Sequence, residues 1–152
     1  MPWTAQQRSR LVTEKAILDK FFPGHVKWID PTEDTKVEVS LNTNNGNKYC
    51  LRVYLKEDGE SSSDFPNSVP DMVVSSSPNP MPKWGTGDKT HTLGYRDGYL
   101  KICHYRSSRW TDKSTLYEVI IKGRIWLEAY EAHLTSENKE KNICDFLGEM
   151  KA

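Results

Sequence analysis

The chain is organised around residues 91–131, which read HTLGYRDGYLKICHYRSSRWTDKSTLYEVIIKGRIWLEAYE. A single cysteine, Cys103, lies between a strand-like apolar run and the start of a long amphipathic helix. The thiolate is the reactive form of cysteine, and a free thiol with a pKa of about 8.5 is only slightly ionised at pH 7. A reactive Cys103 therefore needs neighbouring groups that favour its thiolate. The candidates are His104, the next residue, and His91, which a turn bounded by Gly94 and Gly98 would bring back toward the thiol.

Composition favours one domain with balanced charge. A chain of 152 residues fits a single domain over residues 1–152, and 21 basic residues balance 21 acidic ones. This balance argues against nucleic acid or an anionic membrane as the main partner, because both favour basic surfaces. The three cysteines lack metal-site spacing, and no N-terminal apolar segment resembles a signal peptide. We therefore expect a reduced, cytoplasmic protein that holds no metal ion and does not span a membrane.

The first half of the chain predicts a helix followed by an antiparallel meander. Thr4-Ala-Gln-Gln7 is typical of a capping box, and an apolar arc leads to Pro23-Gly24, which ends the helix. A short strand is predicted at 26–29, and two alternating apolar runs follow it. The dipeptide Asn45-Gly46 between these runs predicts a tight turn with positive φ at both central positions. Prolines precede a fourth strand at 72–74, which we expect at the sheet edge because proline cannot donate to a ladder.

The second half predicts a long helix and a short final one. Residues 75–87, with their prolines, are expected to be irregular. Thr115 and Glu118 cap a helix whose apolar residues recur at three- and four-residue steps: Leu116, Val119, Ile120, Trp126, Leu127, Tyr130 and Leu134. Gly123 within it indicates close packing against another backbone. Glu131 and His133 lie off the apolar stripe, which predicts solvent exposure. The apolar spacing from Ile143 to Met150 predicts the last helix.

The order of the motifs resembles that of ubiquitin-conjugating enzymes. In that family a His-Pro-Asn segment precedes the active-site cysteine, the cysteine follows a Gly-x-Ile/Leu step, and a tryptophan and a Thr-Ile/Leu helix start come later. The matching features here are His91-Thr92-Leu93, Gly98, Ile102-Cys103, Trp110 and Thr115-Leu116. Phe65-Pro66 with Pro70 is similar to the Tyr-Pro-x-x-Pro element, and Trp126-Leu-Glu-Ala-Tyr-Glu131 resembles the Trp-Leu-x-x-Tyr-Glu signature of the bacterial branch.

This resemblance, which covers nearly the whole chain, implies a fold and a function. The fold would be α+β, with an N-terminal helix, a four-stranded antiparallel meander, an active-site loop, a long central helix and a short C-terminal helix. The function would be a cofactor-free transferase that forms a thioester at Cys103. The partners would be an activating enzyme and either a ubiquitin-like modifier or the C-terminus of a cyclic-nucleotide synthase. Kinship with the bacterial branch implies a role in antiphage operons of the CBASS type.

One departure from the family bears on catalysis. Leu93 occupies the place of the asparagine whose side-chain amide supports the oxyanion. His91, Thr92 or His104 could substitute, and of these we favour His91, although a histidine that only fixes the turn by a hydrogen bond is equally compatible with the sequence. Trp110 either contacts the modifier or is buried beneath the active-site loop, which we favour. The rival function is a catalytically inactive interaction module of the same fold, and a cysteine hydrolase ranks last because no oxyanion loop is recognisable.

Overall fold

The computed structural model describes residues 3–56, 64–67, 69–76, 92–102 and 110–135. The elements in chain order are α1 (Ala5–Phe21), β1 (Val26–Ile29), β2 (Lys36–Asn42), β3 (Lys48–Tyr54), β4 (Asp71–Val74), β5 (Thr92–Arg96), β6 (Tyr99–Ile102) and α2 (Leu116–Thr135). The strands form one antiparallel sheet in the order β1-β2-β3-β4-β6-β5. The α+β class, the N-terminal helix and the long helix α2 are therefore confirmed, whereas the predicted short C-terminal helix lies outside the described residues.

The helix starts follow the predicted capping signals. The backbone N–H of Gln7 donates to Thr4 Oγ1 at 3.1 Å, and the Gln7 side chain accepts from the Thr4 N–H at 2.9 Å, so the capping box at α1 is confirmed. Helix α1 ends at Phe21, and its C-cap Phe22 directly precedes Pro23-Gly24. At α2 the N–H of Glu118 donates to Thr115 Oγ1.

One face of the sheet and both helices share the core. Alternate strand residues point inward and are buried: Val37, Val39, Leu51, Val53, Met72, Val74, Leu100 and Ile102. They pack with Leu11 and Leu18 of α1 and with the apolar stripe of α2. Gly123 fits the close packing that we expected, but its neighbours are side chains and not a backbone. A Cβ at Gly123 would lie 2.7 Å from Leu51 Cδ1 and 2.8 Å from the Met72 sulfur.

The prediction of a four-stranded meander was wrong, because the described residues alone form six strands. The additional strands, β5 and β6, form a hairpin: β6 is the strand-like run before Cys103, whereas β5 includes Gly94, which was predicted to lie in a turn. Their tight turn is Asp97-Gly98, whose φ angles of 53° and 81° are both positive, as a type I′ turn requires. Strand β6 pairs with β4 on its other side, so β4 is an interior strand and not the predicted edge.

The β2–β3 connection also differs from the prediction. It spans the five residues from Thr43 to Asn47, with the N–H of Gly46 donating to the Thr43 carbonyl. Gly46 has a φ of 86°, whereas Asn45 does not have positive φ. The Asn-Gly signal thus correctly located a hairpin but not its turn type. A smaller expectation also fails, because Leu134, which was placed on the apolar stripe of the long helix, is 40% exposed.

Within the part of the chain that the structure describes, neither helix is long and apolar enough to cross a membrane.

Candidate functional site

The β5–β6 hairpin brings together the two chain segments that carry the predicted catalytic residues. Thr92, which follows His91 in the sequence, pairs with Ile102, which precedes Cys103. Both paired residues are buried, and Ile102 also pairs with Met72 of β4. His91, Cys103 and His104 themselves lie outside the described residues. The described chain ends that adjoin His91 and Cys103 therefore lie side by side at the open end of one hairpin.

Trp110 fixes the chain where it re-enters the described structure after residues 103–109. Its indole N–H donates to the Pro66 carbonyl at 2.9 Å, and its ring meets Phe65 edge-on with the ring centroids 6.2 Å apart. Phe65 is buried in the core, where its N–H donates to the Leu55 carbonyl. Trp110 is half-buried, which agrees with the packing alternative for this residue.

A polar groove of about 390 Å³ lies beside the Phe65-Pro66 turn. It is formed by the outward side of α1, the residues that follow Phe65 and the loop before α2. The residues that line it are Gln6, Gln7, Ser9, Arg10, Thr13, Pro66, Asn67 and Asp112. Among these described residues none carries a thiol or an imidazole, and their polar groups can donate and accept hydrogen bonds.

Glu131 corrects an expectation from the sequence, because it is 3% exposed and not solvated. Its carboxylate accepts hydrogen bonds from Asn47 Nδ2 at 2.6 Å, the Tyr49 hydroxyl at 2.9 Å and Asn45 Nδ2 at 3.2 Å. Burial acts to raise the pKa of Glu131, but the hydrogen bonds outweigh it and the pKa is lowered. Burial and the Glu131 carboxylate raise the pKa of Tyr49. Glu131 thus ties the β2–β3 loop to α2.

His133 is buried as well, contrary to the same expectation. It lies three residues after Tyr130 and seven after Trp126, which are both buried, so it continues the same face of α2. Nothing in the sequence signals the contact of Glu131 with Asn47, since the two residues are 84 positions apart.

Glu131→Gln is expected to lower the free energy of unfolding by about 1–3 kcal/mol at pH 7, because an amide replaces a buried acceptor of three hydrogen bonds. A lowered folded-state pKa stabilises the fold above the ordinary value of 4.5, and this contribution is lost as pH falls through the folded pKa. The difference between the wild type and Glu131→Gln should therefore shrink in acid. Urea unfolding at pH 7 and at pH 3.5 measures it.

Glu128→Gln is the control, because Glu128 is only half-buried and accepts one bond, from the Asn44 N–H. An equal loss of unfolding free energy in both variants would contradict a special role for the Glu131 carboxylate. So would a stability difference between the wild type and Glu131→Gln that persists in acid.

Of the three cysteines, Cys50 is the one that lies among the described residues. It is half-buried on β3, and burial together with the Glu38 carboxylate raises the pKa of its thiol. A raised pKa leaves less thiolate at neutral pH, so Cys50 is poorly suited to nucleophilic chemistry. Cys144 lies outside the described residues.

No group of three histidine, cysteine or carboxylate side chains that could hold a metal ion occurs among the described residues. Comparisons of the chain with protein-family models, with curated proteins and with solved structures found no match.

Proposed function

We propose that this protein is a ubiquitin-conjugating-enzyme-like transferase that forms a thioester at Cys103. The supporting observation is the pairing of Thr92 with Ile102, which sets the chain positions next to His91 and Cys103 side by side. A thiol and an imidazole on adjacent chain segments form the arrangement by which a neighbouring base or cation favours a thiolate. The motif order described above supplies the reaction class.

The proposed step is an acyl exchange between two thiols. The Cys103 thiolate attacks the carbonyl carbon of a thioester carried by an activating enzyme, and the tetrahedral intermediate collapses with release of the activating enzyme's thiol. A donor is needed for the oxyanion in this intermediate. We assign that role to His91, with His104 as the alternative. Leu93, at the family's asparagine position, carries no donor on its side chain. This loss favours a restricted acceptor or a thioester-only role over broad ligation to lysines.

Protein partners follow from the same assignment. The acyl group is the C-terminus of a ubiquitin-like modifier or of a cyclic-nucleotide synthase, and the setting is bacterial antiphage defence in the cytoplasm. The outward side of α1, with the polar groove beside Pro66 and Asn67, is a surface for the activating enzyme. It is separate from the inward side of α1, where Leu11 and Leu18 enter the core.

The test is covalent capture. The protein is incubated with the activating enzyme and modifier from neighbouring genes and analysed on a non-reducing gel. An adduct that dithiothreitol removes supports the proposal. Absence of any adduct, together with selective alkylation of the wild-type protein in which Cys103 is the slowest of the three cysteines, would contradict it.

His91→Ala is expected to slow adduct formation by about ten- to a hundredfold, the scale of one transition-state donor or base. Its melting temperature should stay close to that of the wild type. The measurements are single-turnover transfer and thermal unfolding on the same samples. His25→Ala is a suitable control, because His25 is an exposed residue bonded to Ser40 at the start of β1. A large loss of stability with normal transfer per folded molecule would show that His91 only fixes the turn.

One observation favours the second candidate, an interaction module without catalysis. Leu93 and Tyr95 on β5 are 57% and 55% exposed, so the position that would carry a catalytic amide instead displays apolar surface. If this candidate is right, Leu93→Asn weakens partner binding and creates no activity. If the transferase proposal is right, Leu93→Asn leaves adduct formation intact.

A further inference from the structure

The turn of the β5–β6 hairpin is held to the outer face of the sheet by side chains. The Tyr54 hydroxyl, on β3, donates to the Asp97 carboxylate at 2.8 Å. The adjacent Arg96 donates to Asp71 of β4 at 2.9 Å, and its guanidinium lies 3.9 Å from the centroid of the Tyr54 ring. It also donates to the Lys56 carbonyl at 3.3 Å. The turn therefore contacts two strands with which β5 shares no backbone ladder.

The backbone alone holds β5 weakly. In the described sheet β5 is the last strand and pairs only with β6. Its register shifts between Thr92 and Tyr95, and Gly94 within the shift has a φ of 97°. A bulge leaves a residue out of the ladder and adds local twist. Two of the five residues of β5, Leu93 and Tyr95, are more than half exposed and bury little apolar surface. Strand β6 is held to β4 by its own ladder, so it is the position of β5 that depends strongly on the contacts at the turn.

These contacts are well protected from water at their centre. Tyr54 is 2% exposed, and Lys36 lies over the same ring with its amine 5.9 Å from the centroid. Burial and the Asp97 carboxylate raise the pKa of Tyr54 to about 12, so its hydroxyl remains a donor throughout the neutral range. The Asp97 carboxylate is itself exposed, so loss of the Tyr54 hydroxyl removes one hydrogen bond to a charged acceptor, which contributes more than a neutral one, and leaves the carboxylate to water.

We propose that Tyr54, Asp71, Arg96 and Asp97 form a latch that positions the open end of the hairpin, from which the chain continues to His91 on one side and to Cys103 on the other. The open end lies about 13 Å from the turn, at about 3.3 Å per residue. A change at the latch therefore acts on the thiol through the hairpin and not by contact. Tyr54 is a positioning residue, and its importance for transfer rests on the proposed function, whereas its effect on thiol reactivity does not.

The experiment measures alkylation of each cysteine by iodoacetamide, by peptide mass mapping of the folded full chain between pH 6 and 9. Tyr54→Phe keeps the ring that Arg96 covers and removes only the hydroxyl. We expect the alkylation rate of Cys103 at pH 7 to fall about three- to tenfold, the equivalent of about one hydrogen bond, with its pH profile displaced upward. The rate at Cys50 should not change. Tyr95→Phe is the matched control, because Tyr95 is exposed on the same hairpin.

A second pair of variants guards against loss of folding in Tyr54→Phe. Asp97→Gly keeps the positive φ but lacks the acceptor, and it should show the same slow alkylation of Cys103 as Tyr54→Phe. Asp97→Asn retains an oxygen acceptor and tolerates positive φ, and it should restore the wild-type rate. A general loss of structure would instead change the alkylation rate of Cys50 as well as that of Cys103.

The outcomes separate the latch from the transferase proposal. If Tyr54→Phe and Asp97→Gly leave both the rate and the pH profile of Cys103 unchanged, the latch is wrong, even where the wild type forms a thioester. If both variants slow the alkylation of Cys103 but the wild type forms no adduct with any supplied partner, the latch proposal is supported and the transferase proposal is wrong.

Discussion

Cys103→Ala is expected to abolish the covalent adduct completely, and Cys103→Ser either to abolish it or to make it resistant to reductant. Alanine has no nucleophile. A serine hydroxyl is a far weaker nucleophile than a thiolate, and the oxygen ester that it forms is not cleaved by thiols. No other substitution in the chain should have so large an effect on function. The measurement is a non-reducing gel with and without dithiothreitol, followed by mass mapping of the modified peptide.

The other two cysteines provide the controls. Cys50→Ala and Cys144→Ala should each retain a reductant-sensitive adduct. Cys50 has a raised thiol pKa and is half-buried in β3, so its removal takes away a weak nucleophile. An adduct that persists in Cys103→Ala and vanishes in Cys50→Ala would overturn the assignment of the nucleophile. In that case the interaction of the chain with its partner would run through the sheet and not through the segment after β6.

Local signals in the sequence were sufficient to predict α1, α2 and the first strands. The capping box at Thr4 and the cap at Thr115 act within four residues, and the alternation in β2 and β3 reports one buried face directly. These features depend on neighbours along the chain. For that reason they can be read without knowledge of the tertiary structure.

Strands β5 and β6 could not be predicted so easily. They have five and four residues, and β5 contains a glycine, which usually weakens a strand. What makes β6 a strand is its pairing with β4, about thirty residues earlier in the chain. The same pairing turns β4 from an edge strand into an interior one. Long-range pairing decides both outcomes, and sequence periodicity does not report it.

The two turns show how tertiary contacts select among local options. Asn45-Gly46 is the stronger tight-turn signal, but Asn45 donates to Glu131 and belongs to a five-residue loop that α2 holds in place. Asp97-Gly98 adopts the tight turn, and there the Asp97 carboxylate bonds to Tyr54. In the candidate site, the sequence likewise suggested His91 and Cys103 but gave no sign of the hairpin contacts that adjoin them.

A buried carboxylate of α1 contacts the start of α2. The Glu14 carboxylate is 1% exposed and accepts from the backbone N–H of Leu116, the first residue of α2, at 3.0 Å. Its other oxygen accepts from Arg10 Nε at 3.0 Å, and Arg10 also donates to the carbonyls of Asp112 and Ser114. A carboxylate at this position stabilises the start of α2, because the free N–H groups and the helix dipole both favour negative charge there.

Glu14→Ala is therefore expected to lower the free energy of unfolding by about 1–3 kcal/mol, the cost of leaving a buried donor without its acceptor. The change takes the acceptor from the Leu116 N–H, whereas the Arg10 guanidinium, which is 25% exposed, keeps water and two carbonyls as partners. For a chain of this length the melting temperature should fall by about 5 °C. Glu14→Gln keeps an acceptor but not the charge, so its free energy of unfolding should fall by about half as much. Urea and thermal unfolding measure both variants.

Asp19→Ala is the matched control, since Asp19 lies on the same helix and forms a solvent-exposed ion pair with Lys15. Exposed pairs of this kind contribute about 0–1 kcal/mol. If Glu14→Ala cost no more than Asp19→Ala, the buried carboxylate would be dispensable for α2. Trp110 precedes α2 in the chain, so a large loss of stability in Glu14→Ala is also expected to loosen the contact of Trp110 with Pro66. A change in tryptophan fluorescence at temperatures below the global unfolding transition would report this loosening.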